Sequence, residues 1–304
     1  MMVPIVLGVS LLIFVIIDMI PGDPGSILLG AGARQEDIDM VNEELGWNKP
    51  VIQRYAMYMY NAVFKMDLGR SFSTKKPVMA EIKPRLKVSF IVAFNAIFFS
   101  IVFGVPLGVL SAVRQNTLAD RIPTGVALLM ASQPAFLIGL LLMLVFCLRL
   151  GWFPATGIGS WKSYIMPMIA LGLPYGGRQL RFTRSSMLET IRQDYVRTAR
   201  AKGASESVVI WKHAMKNALL PVITLAGNSF GILIGGAIAT ETLFGLPGLG
   251  SFIVNGIKQK DVPVVMGGII VFAILFALII LIIDLSYAFV DPRIRAKYAR
   301  KRGV

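Results

Sequence analysis

Long apolar runs are the feature that most constrains how this chain folds. Five runs approach or exceed the roughly 20 residues that cross the hydrocarbon core of a bilayer. They cover residues 3–20, 88–113, 122–148, 218–239 and 264–290. A sixth, shorter run over residues 165–177 spans only if its helix continues into the arginines that follow. Backbone groups cannot bond to water inside a membrane, so we predict an all-α polytopic membrane protein with six transmembrane helices.

The composition argues against a soluble globular domain. Of the 304 residues, 55% are hydrophobic and 16% are charged, and the mean hydropathy is +0.68. Soluble domains carry about a quarter charged residues. The net charge of +14 would favour nucleic acid in a soluble protein, but in a membrane protein the placement of the charges matters more than their sum. We therefore expect membrane lipid, and no nucleic acid, among the partners.

Basic residues are concentrated on one side of the predicted topology. Of the 31 Lys and Arg, nine lie between Arg178 and Lys216, and six follow Asp291. The opposite side carries two after the third run and two after the fifth. The ten between Arg34 and Lys87 count for little, because long loops have little weight in the positive-inside rule. We predict that both termini are cytoplasmic.

The first run, residues 1–20, is predicted to be a retained span, because no basic residue precedes Arg34 and a signal peptide needs one. Residues 21–87 then form a predicted extracytoplasmic cap with two short helices, Gln35 to Leu45 and Pro50 to Phe64. The cap either receives a partner protein from outside or packs as a lid over the helix ends.

Small and polar residues inside the later runs are candidates for the transport pathway or for helix packing. Gly227, Gly231 and Gly235 recur every four residues, which allows another helix to approach closely. Asn228 beside them is a candidate polar group of the pathway. Asp284 lies near the cytoplasmic end of the last run, and we expect it to pair with a basic residue.

The fourth run combines helix-disturbing residues with a row of cations. Its prolines and glycines predict a kinked helix that neighbours approach closely. Arg178, Arg181 and Arg184 follow at three-residue spacing and share one broad face. We expect them to reach lipid phosphates rather than substrate or nucleotide, because arginine at mid-bilayer costs at least a few kcal/mol.

The sequence offers no catalytic or metal site. Cys147 is predicted to be an inert packing residue. His213 is the only histidine, and the sequence places no set of other metal ligands around it. A phosphate loop of the Gly-x-x-x-x-Gly-Lys-Ser/Thr type does not occur in the chain. The energy for any transport must therefore come from another subunit or from an ion gradient.

A cationic, partly apolar segment follows the fourth run, at about residues 187–217. Its pattern predicts two short helices outside the membrane, broken at Gly203, where a tight turn needs positive φ. A helical loop of this kind is suited to docking another protein.

The stretch Tyr195-Val196-Arg197-Thr198-Ala199-Arg200-Ala201-Lys202-Gly203 resembles the coupling loop of ABC importer permeases, in the form found in the dipeptide, oligopeptide and nickel branch. Further stretches resemble that branch and cover nearly the whole chain. They are Pro21-Gly22-Asp23-Pro24, Asp67-Leu68-Gly69, Thr183-Arg184-Ser185-Ser186-Met187, Glu241-Thr242, Pro247-Gly248-Leu249-Gly250, Lys260-Asp261-Val262-Pro263 and Asp291-Pro292-Arg293-Ile294-Arg295. Members of the branch usually begin with a few basic residues, so an incomplete or alternative start is expected here.

The resemblance implies a type I ABC importer permease fold in a prokaryotic cytoplasmic (inner) membrane, with the cap as an insertion after the first helix. Residues 88–304 would form the permease core, ending in a basic cytoplasmic tail at 291–304. The implied partners are a second homologous permease, two cytoplasmic ATPases that bind ATP and Mg, and an extracytoplasmic substrate-binding protein. The resemblance places Ala199 and Gly203, with Arg197, Arg200 and Lys202, at the ATPase contact.

The cargo implied is a di- or oligopeptide, with glutathione and nickel or other metal chelates as alternatives on the same scaffold. An ion-coupled secondary transporter is a rival hypothesis, which would need a midplane ionisable site. A membrane enzyme is the remotest, because no paired catalytic groups are present.

Overall fold

The computed structural model describes residues 2–19, 21–30 and 32–290, and these residues form helices and loops. Within that part of the chain, the only β contact is an isolated bridge between Arg70 and Pro77. The helices are α1 Met2–Met19, α2 Pro24–Leu29, α3 Gln35–Glu44, α4 Val51–Phe64, α5 Val78–Val113, α6 Leu118–Ser132, α7 Ala135–Leu142, α8 Ile165–Ile191, α9 Asp194–Ala201, α10 Glu206–Val208, α11 Met215–Gly236, α12 Ile238–Leu243, α13 Leu249–Lys258 and α14 Val262–Val290. A π-helical segment, Met143–Arg149, extends α7, and another, Val209–Ala214, joins α10 to α11. The prediction of an all-helical protein is confirmed for the described residues.

Among the described residues, three helical segments are long and apolar enough to cross a membrane: Val78–Val113, Glu206–Ile234 and Val262–Ile283. A fourth is added if α6 and α7 with its extension count as one broken span. Helix α8 is long enough to cross a membrane but carries Arg178, Arg181 and Arg184. The described apolar part of α1, Leu7–Met19, is shorter than a full span. The number of six spans therefore stays a prediction.

The length of the third apolar run alone predicts one straight helix. The structure instead forms two helical segments with a bend between them. The chain bends by 103° between Leu118–Ser132 and Ala135–Arg149. Gln133, which precedes Pro134, adopts an extended conformation with ψ of 140°. A proline disfavours the helical conformation of the residue before it, which explains a break at this position.

The described residues form two compact units. The first comprises the described residues up to Phe90 together with Gly245–Ala277, and the second comprises Ile91–Phe244 and the helix from Leu278. The first unit thus joins the predicted cap to a late part of the predicted permease core. Its hydrophobic core includes Phe14, Ile82 and Met266.

The two cap helices occur where the sequence predicts them. Helix α3 ends just before Gly46, which has φ of +68°, and α4 begins after Pro50. The basic tail predicted at residues 291–304 lies outside the described residues, and so does the side chain of Asp284.

Candidate functional site

Helix α9 is the centre of the predicted coupling segment, and its ends follow from the local sequence. Asp194 in the first turn and Arg200 in the last turn match the helix dipole. The helix closes with Gly203 at φ of +81°, whose N–H donates to the carbonyl of Arg200 at 2.9 Å. The N–H of Ala204 donates to the carbonyl of Ala199 at 3.2 Å, which completes a Schellman motif. The predicted break at Gly203 is confirmed.

One face of α9 packs against the rest of its unit. Val196 is fully buried and Ala199 is 9% exposed. They belong to a cluster, here called the coupling core, whose other buried members are Val105, Val109, Ala112, Met187, Val209, Ile210, Ala214, Met215, Ala218 and Val222. These residues come from helices α5, α8 and α11 and from the π-helical segment Val209–Ala214. The apolar contact fixes α9 in place although it is only two turns long.

The opposite face of α9 is exposed and mostly cationic. Arg197 and Lys202 are exposed. Tyr195, in the first turn of the helix, is 42% exposed. Arg200 donates to both carboxylate oxygens of Glu206, at 3.0 Å from Nε and 2.7 Å from Nη2. This hydrogen bonding raises the pKa of Arg200. It also links the end of α9 to the start of α10.

The structure separates the five residues predicted at the ATPase contact. Arg197, Arg200, Lys202 and Gly203 share the exposed side of the segment. Ala199 does not, because it faces the coupling core. In this eight-residue helix Val196 and Ala199 are three positions apart and share a side, so a part for Ala199 in the ATPase contact stays a prediction.

The three arginines of α8 do not behave as one group. Arg184 forms a bidentate ion pair with Asp120 at the start of α6, with distances of 2.6 and 2.8 Å. Arg178 lies 5.1 Å from the ring centroid of Tyr175, and Arg181 is exposed. The expectation that all three reach lipid phosphates is wrong for Arg184, because a buried carboxylate on a neighbouring helix satisfies it.

Small residues let α5, α6 and α8 approach closely. A Cβ at Gly104 would lie 2.7 Å from the carbonyl oxygen of Gly176, and one at Gly108 would lie 2.6 Å from that of Leu180. At Gly177 it would meet the carbonyl of Ala127 at 2.5 Å. The close approach predicted for α8 is confirmed. Gly104 and Gly108 were missed, although their four-residue spacing is the same signal.

The glycines of α11 are partly explained by packing within the chain. A Cβ at Gly227 would lie 3.0 Å from the side chain of Ile283. Gly231 is buried, Asn228 is exposed, and the surroundings of Gly235 are outside the described residues. Packing thus accounts for Gly227, and a pathway role for Asn228 stays a prediction.

Two buried charges of the first unit lie in a stretch that the sequence marked only by its resemblance to the permease branch. Asp261 is 1% exposed and accepts hydrogen bonds from the Ser71 hydroxyl at 2.6 Å and the Ser73 N–H at 3.1 Å. Lys260 donates its ammonium to the carbonyl of Gly22 and lies 5.5 Å from the ring of Trp47. Burial lowers the pKa of Lys260. No sequence signal marks these contacts, because the partners are far apart along the chain.

Cys147 is buried, with its thiol 3.6 Å from the carbonyl of Pro154. Among the described residues, no three His, Cys, Asp or Glu side chains come together in a group that would hold a metal ion.

Two family models match the chain. The model for the "binding-protein-dependent transport system inner membrane component" matches residues 104–296. The model for the N-terminal part of the same membrane component matches residues 1–93. The first of these covers the coupling segment, and the second covers the predicted cap.

Curated relatives match over nearly the full length. The glutathione transport system permease protein GsiC of Escherichia coli is 38% identical over 97% of this chain and 96% of its own length. The protein of the same name from Pectobacterium atrosepticum is 39% identical with the same coverage.

Solved structures share the fold. An inward-facing MetNI methionine ABC transporter has a chain with a TM-score of 0.60 and 20% identity, covering 70% of this chain and 97% of that one. An amino acid ABC transporter solved with histidines gives a TM-score of 0.56 and 11% identity, with 69% and 94% covered. At these identities the likeness concerns the fold, which is that of ABC importer permeases.

Proposed function

Since the chain belongs to the family of binding-protein-dependent transport system inner membrane components, we propose that it forms half of the transport pathway of an ATP-driven importer of peptides. The chain is a permease, not an enzyme. In the proposed complex, a second homologous permease supplies the other half of the pathway. Two cytoplasmic ATPases bind ATP and Mg, and a substrate-binding protein delivers the cargo from the opposite side.

The observation that carries this proposal is the two-sided character of α9. Its inner face is fixed to the coupling core through Val196 and Ala199, whereas its outer face presents Arg197, Lys202 and the turn at Gly203. A short helix built in this way transmits a push from a docked partner to α5, α8 and α11, because the packed coupling core is not readily compressed. ATP-driven movement of the partner would thereby shift these helices between outward-open and inward-open states.

The proposed orientation places the coupling segment and both termini in the cytoplasm, and the cap outside. The support is the asymmetry of basic residues between loops, with nine between Arg178 and Lys216. The cap, with helices α3 and α4, would then meet the substrate-binding protein.

Peptides are the proposed cargo, and the named function of the relatives supports glutathione, itself a tripeptide, among them. Nickel and other metal chelates remain alternatives on this scaffold. Selection in such a system is shared with the substrate-binding protein.

The test is reconstitution of the whole complex in proteoliposomes, with its binding protein outside and an ATP-regenerating system inside. We expect uptake of a small peptide panel that requires ATP and both permeases. An uncoupler that collapses ion gradients serves as the control and should leave uptake unchanged. Uptake driven by an ion gradient without ATP would contradict the proposal.

A further inference from the structure

The first compact unit contains a polar cavity of about 240 Å³. Its polar lining comes from the loop before α5, the first turns of α5, and helix α13: Ser71, Thr74, Glu81, Arg85, Asn255 and Gln259. Pockets for whole drug-sized ligands measure roughly 300–1,000 Å³. The cavity is therefore matched to one end of a small molecule rather than to a complete peptide.

Glu81 supplies a buried carboxylate with unused capacity. Its residue is 8% exposed, and Oε1 accepts a hydrogen bond from the Thr74 hydroxyl at 2.5 Å. Its other oxygen, Oε2, lies 3.8 Å from Nη1 of Arg85, beyond hydrogen-bond distance. Oε2 is thus available to a closer cationic donor.

Arg85 supplies a guanidinium that is held in place through one of its ends. Nη1 donates to the backbone carbonyl of Glu81 at 2.5 Å, and the guanidinium lies 4.1 Å from the ring centroid of Phe252. Both polar contacts of Arg85 in the described structure use Nη1. Nε and Nη2 therefore remain for the two oxygens of a ligand carboxylate, the geometry in which arginine binds carboxylates most strongly.

The rest of the lining is suited to uncharged polar groups. Asn255 on α13 and Gln259, which caps the end of that helix, are exposed and four residues apart, so their amides can both donate to and accept from a peptide group. Asp261 also borders the cavity, but its carboxylate accepts hydrogen bonds from Ser71 and Ser73. It therefore stabilises the wall of the cavity and is not assigned to the ligand.

We propose that this cavity binds an α-amino-acid group, in which an ammonium and a carboxylate are attached to the same carbon. Glu81 holds the ammonium and Arg85 holds the carboxylate. The two groups come within 3.8 Å of each other, between Glu81 Oε2 and the nearest guanidinium nitrogen, Nη1, so a ligand that contacts both must carry its opposite charges close together, as on one carbon. In an ordinary dipeptide the two terminal charges are separated by a peptide unit, whose α-carbons alone are about 3.8 Å apart.

The inference rests on the proposed peptide import and names the cargo class within it: peptides joined through a γ-glutamyl bond. Such peptides keep a free α-amino-acid group at one end, whereas α-linked peptides do not. The cavity would hold this group at the side of the chain that we assign as extracytoplasmic, after release from the binding protein.

The sharpest test compares two isomers, γ-glutamylalanine and α-glutamylalanine, which have the same composition and charge. Binding of each is measured by calorimetry to the complex of both permeases and both ATPases in lipid nanodiscs, without the binding protein. We expect the γ isomer to bind at least about tenfold more tightly, the size of one charge-assisted hydrogen bond. Equal affinities for the wild-type complex would overturn the proposal.

Variants assign the preference to the cavity. Glu81→Gln and Arg85→Gln should each reduce the preference for the γ isomer to near one. Lys83→Gln, an exposed charge on the same helix outside the lining, should retain it. Arg85→Lys, which keeps the charge but loses the planar fork, should be intermediate and covers the case in which Arg85→Gln fails to assemble. A preference that survives in Glu81→Gln would contradict the proposal.

Uptake of the two isomers by the complete reconstituted system separates this inference from the proposed function. If the wild-type system imports neither isomer and no other peptide in the panel, peptide import itself is contradicted. ATP-dependent import of both isomers, together with equal binding, leaves peptide import standing and overturns only the cavity.

Discussion

The coupling segment and the polar cavity arrange their charges in opposite ways. Arg197 on α9 and Lys202 directly after it are exposed, and the side of the helix that faces inward is apolar. In the cavity, Glu81 and Asp261 are buried and are held by hydroxyl groups of neighbouring residues. Exposed charges cost little and can exchange water for a partner protein, whereas buried charges need fixed partners.

The difference separates two kinds of functional surface in one chain. The coupling segment needs a rigid underside and an outer face free to dock, because its proposed partner is a large protein that comes and goes. The cavity needs a rigid polar wall, because its proposed ligand group is small and must be recognised through individual hydrogen bonds. If this comparison is correct, substitutions that remove buried charges should destabilise the protein most, and substitutions of exposed charges should affect coupling instead.

The largest effect on stability is expected for Asp261→Ala. The substitution leaves the buried hydroxyl of Ser71 and the N–H of Ser73 without their acceptor, at a cost of about 3 kcal/mol. Urea unfolding of the purified chain in detergent measures the change. Lys258→Ala, an exposed charge on the preceding helix, is the control and should change the free energy of unfolding by no more than about 0.5 kcal/mol. Equal effects of the two substitutions would remove the distinction between the two regions.

Local sequence patterns were enough to predict the elements on which the coupling segment depends. Helices α3, α4 and α9 follow from periodicity, from Pro50 and from glycines at positive φ, such as Gly203, all of which act within a few residues. The break before Pro134 was not predicted, although its signal is equally local, because an average over the apolar run hides it.

Contacts between distant residues could not be predicted in this way. The Arg184–Asp120 pair joins residues 64 positions apart, and the Ser71–Asp261 hydrogen bond joins residues 190 positions apart. Nothing in the sequence near Glu81 indicates that α13 lies against it. Ala199 marks an intermediate case, since its helix was predicted correctly but the side on which Ala199 lies depends on the rest of the fold.

The next effect in size concerns the underside of α9. Val196→Ala removes two buried methyl groups from the coupling core and should cost about 2 kcal/mol. Thr198→Ala on the exposed side of the same helix is the matched control and should cost much less. Urea unfolding gives both values, and ATP-driven uptake by the reconstituted complex should fall more for Val196→Ala. A similar cost for the two would mean that α9 is not fixed by its apolar face.

A smaller loss of stability with a larger loss of transport is expected at Gly203. A side chain here meets no atom within 4 Å, so Gly203→Trp costs only the strain of φ at +81°, about 1–2 kcal/mol. The bulky side chain stands on the proposed docking face and should uncouple ATP hydrolysis from uptake while the protein stays inserted. Gly203→Asn, which tolerates this conformation, is the control and should retain most uptake. Unchanged uptake with Gly203→Trp would exclude this turn from the ATPase contact.

The smallest effect on stability is expected for Arg200→Ala, although Arg200 forms a bidentate ion pair with Glu206. Both side chains are more than a third exposed, and such pairs contribute up to about 1 kcal/mol. A double-mutant cycle with Glu206→Ala measures the pair itself by urea unfolding. If the outer face serves docking, Arg200→Ala should lower the uptake per ATP hydrolysed while the free energy of unfolding barely changes. A coupling energy above 2 kcal/mol with normal uptake would instead make Arg200 part of the architecture, as the buried charges of the cavity wall are.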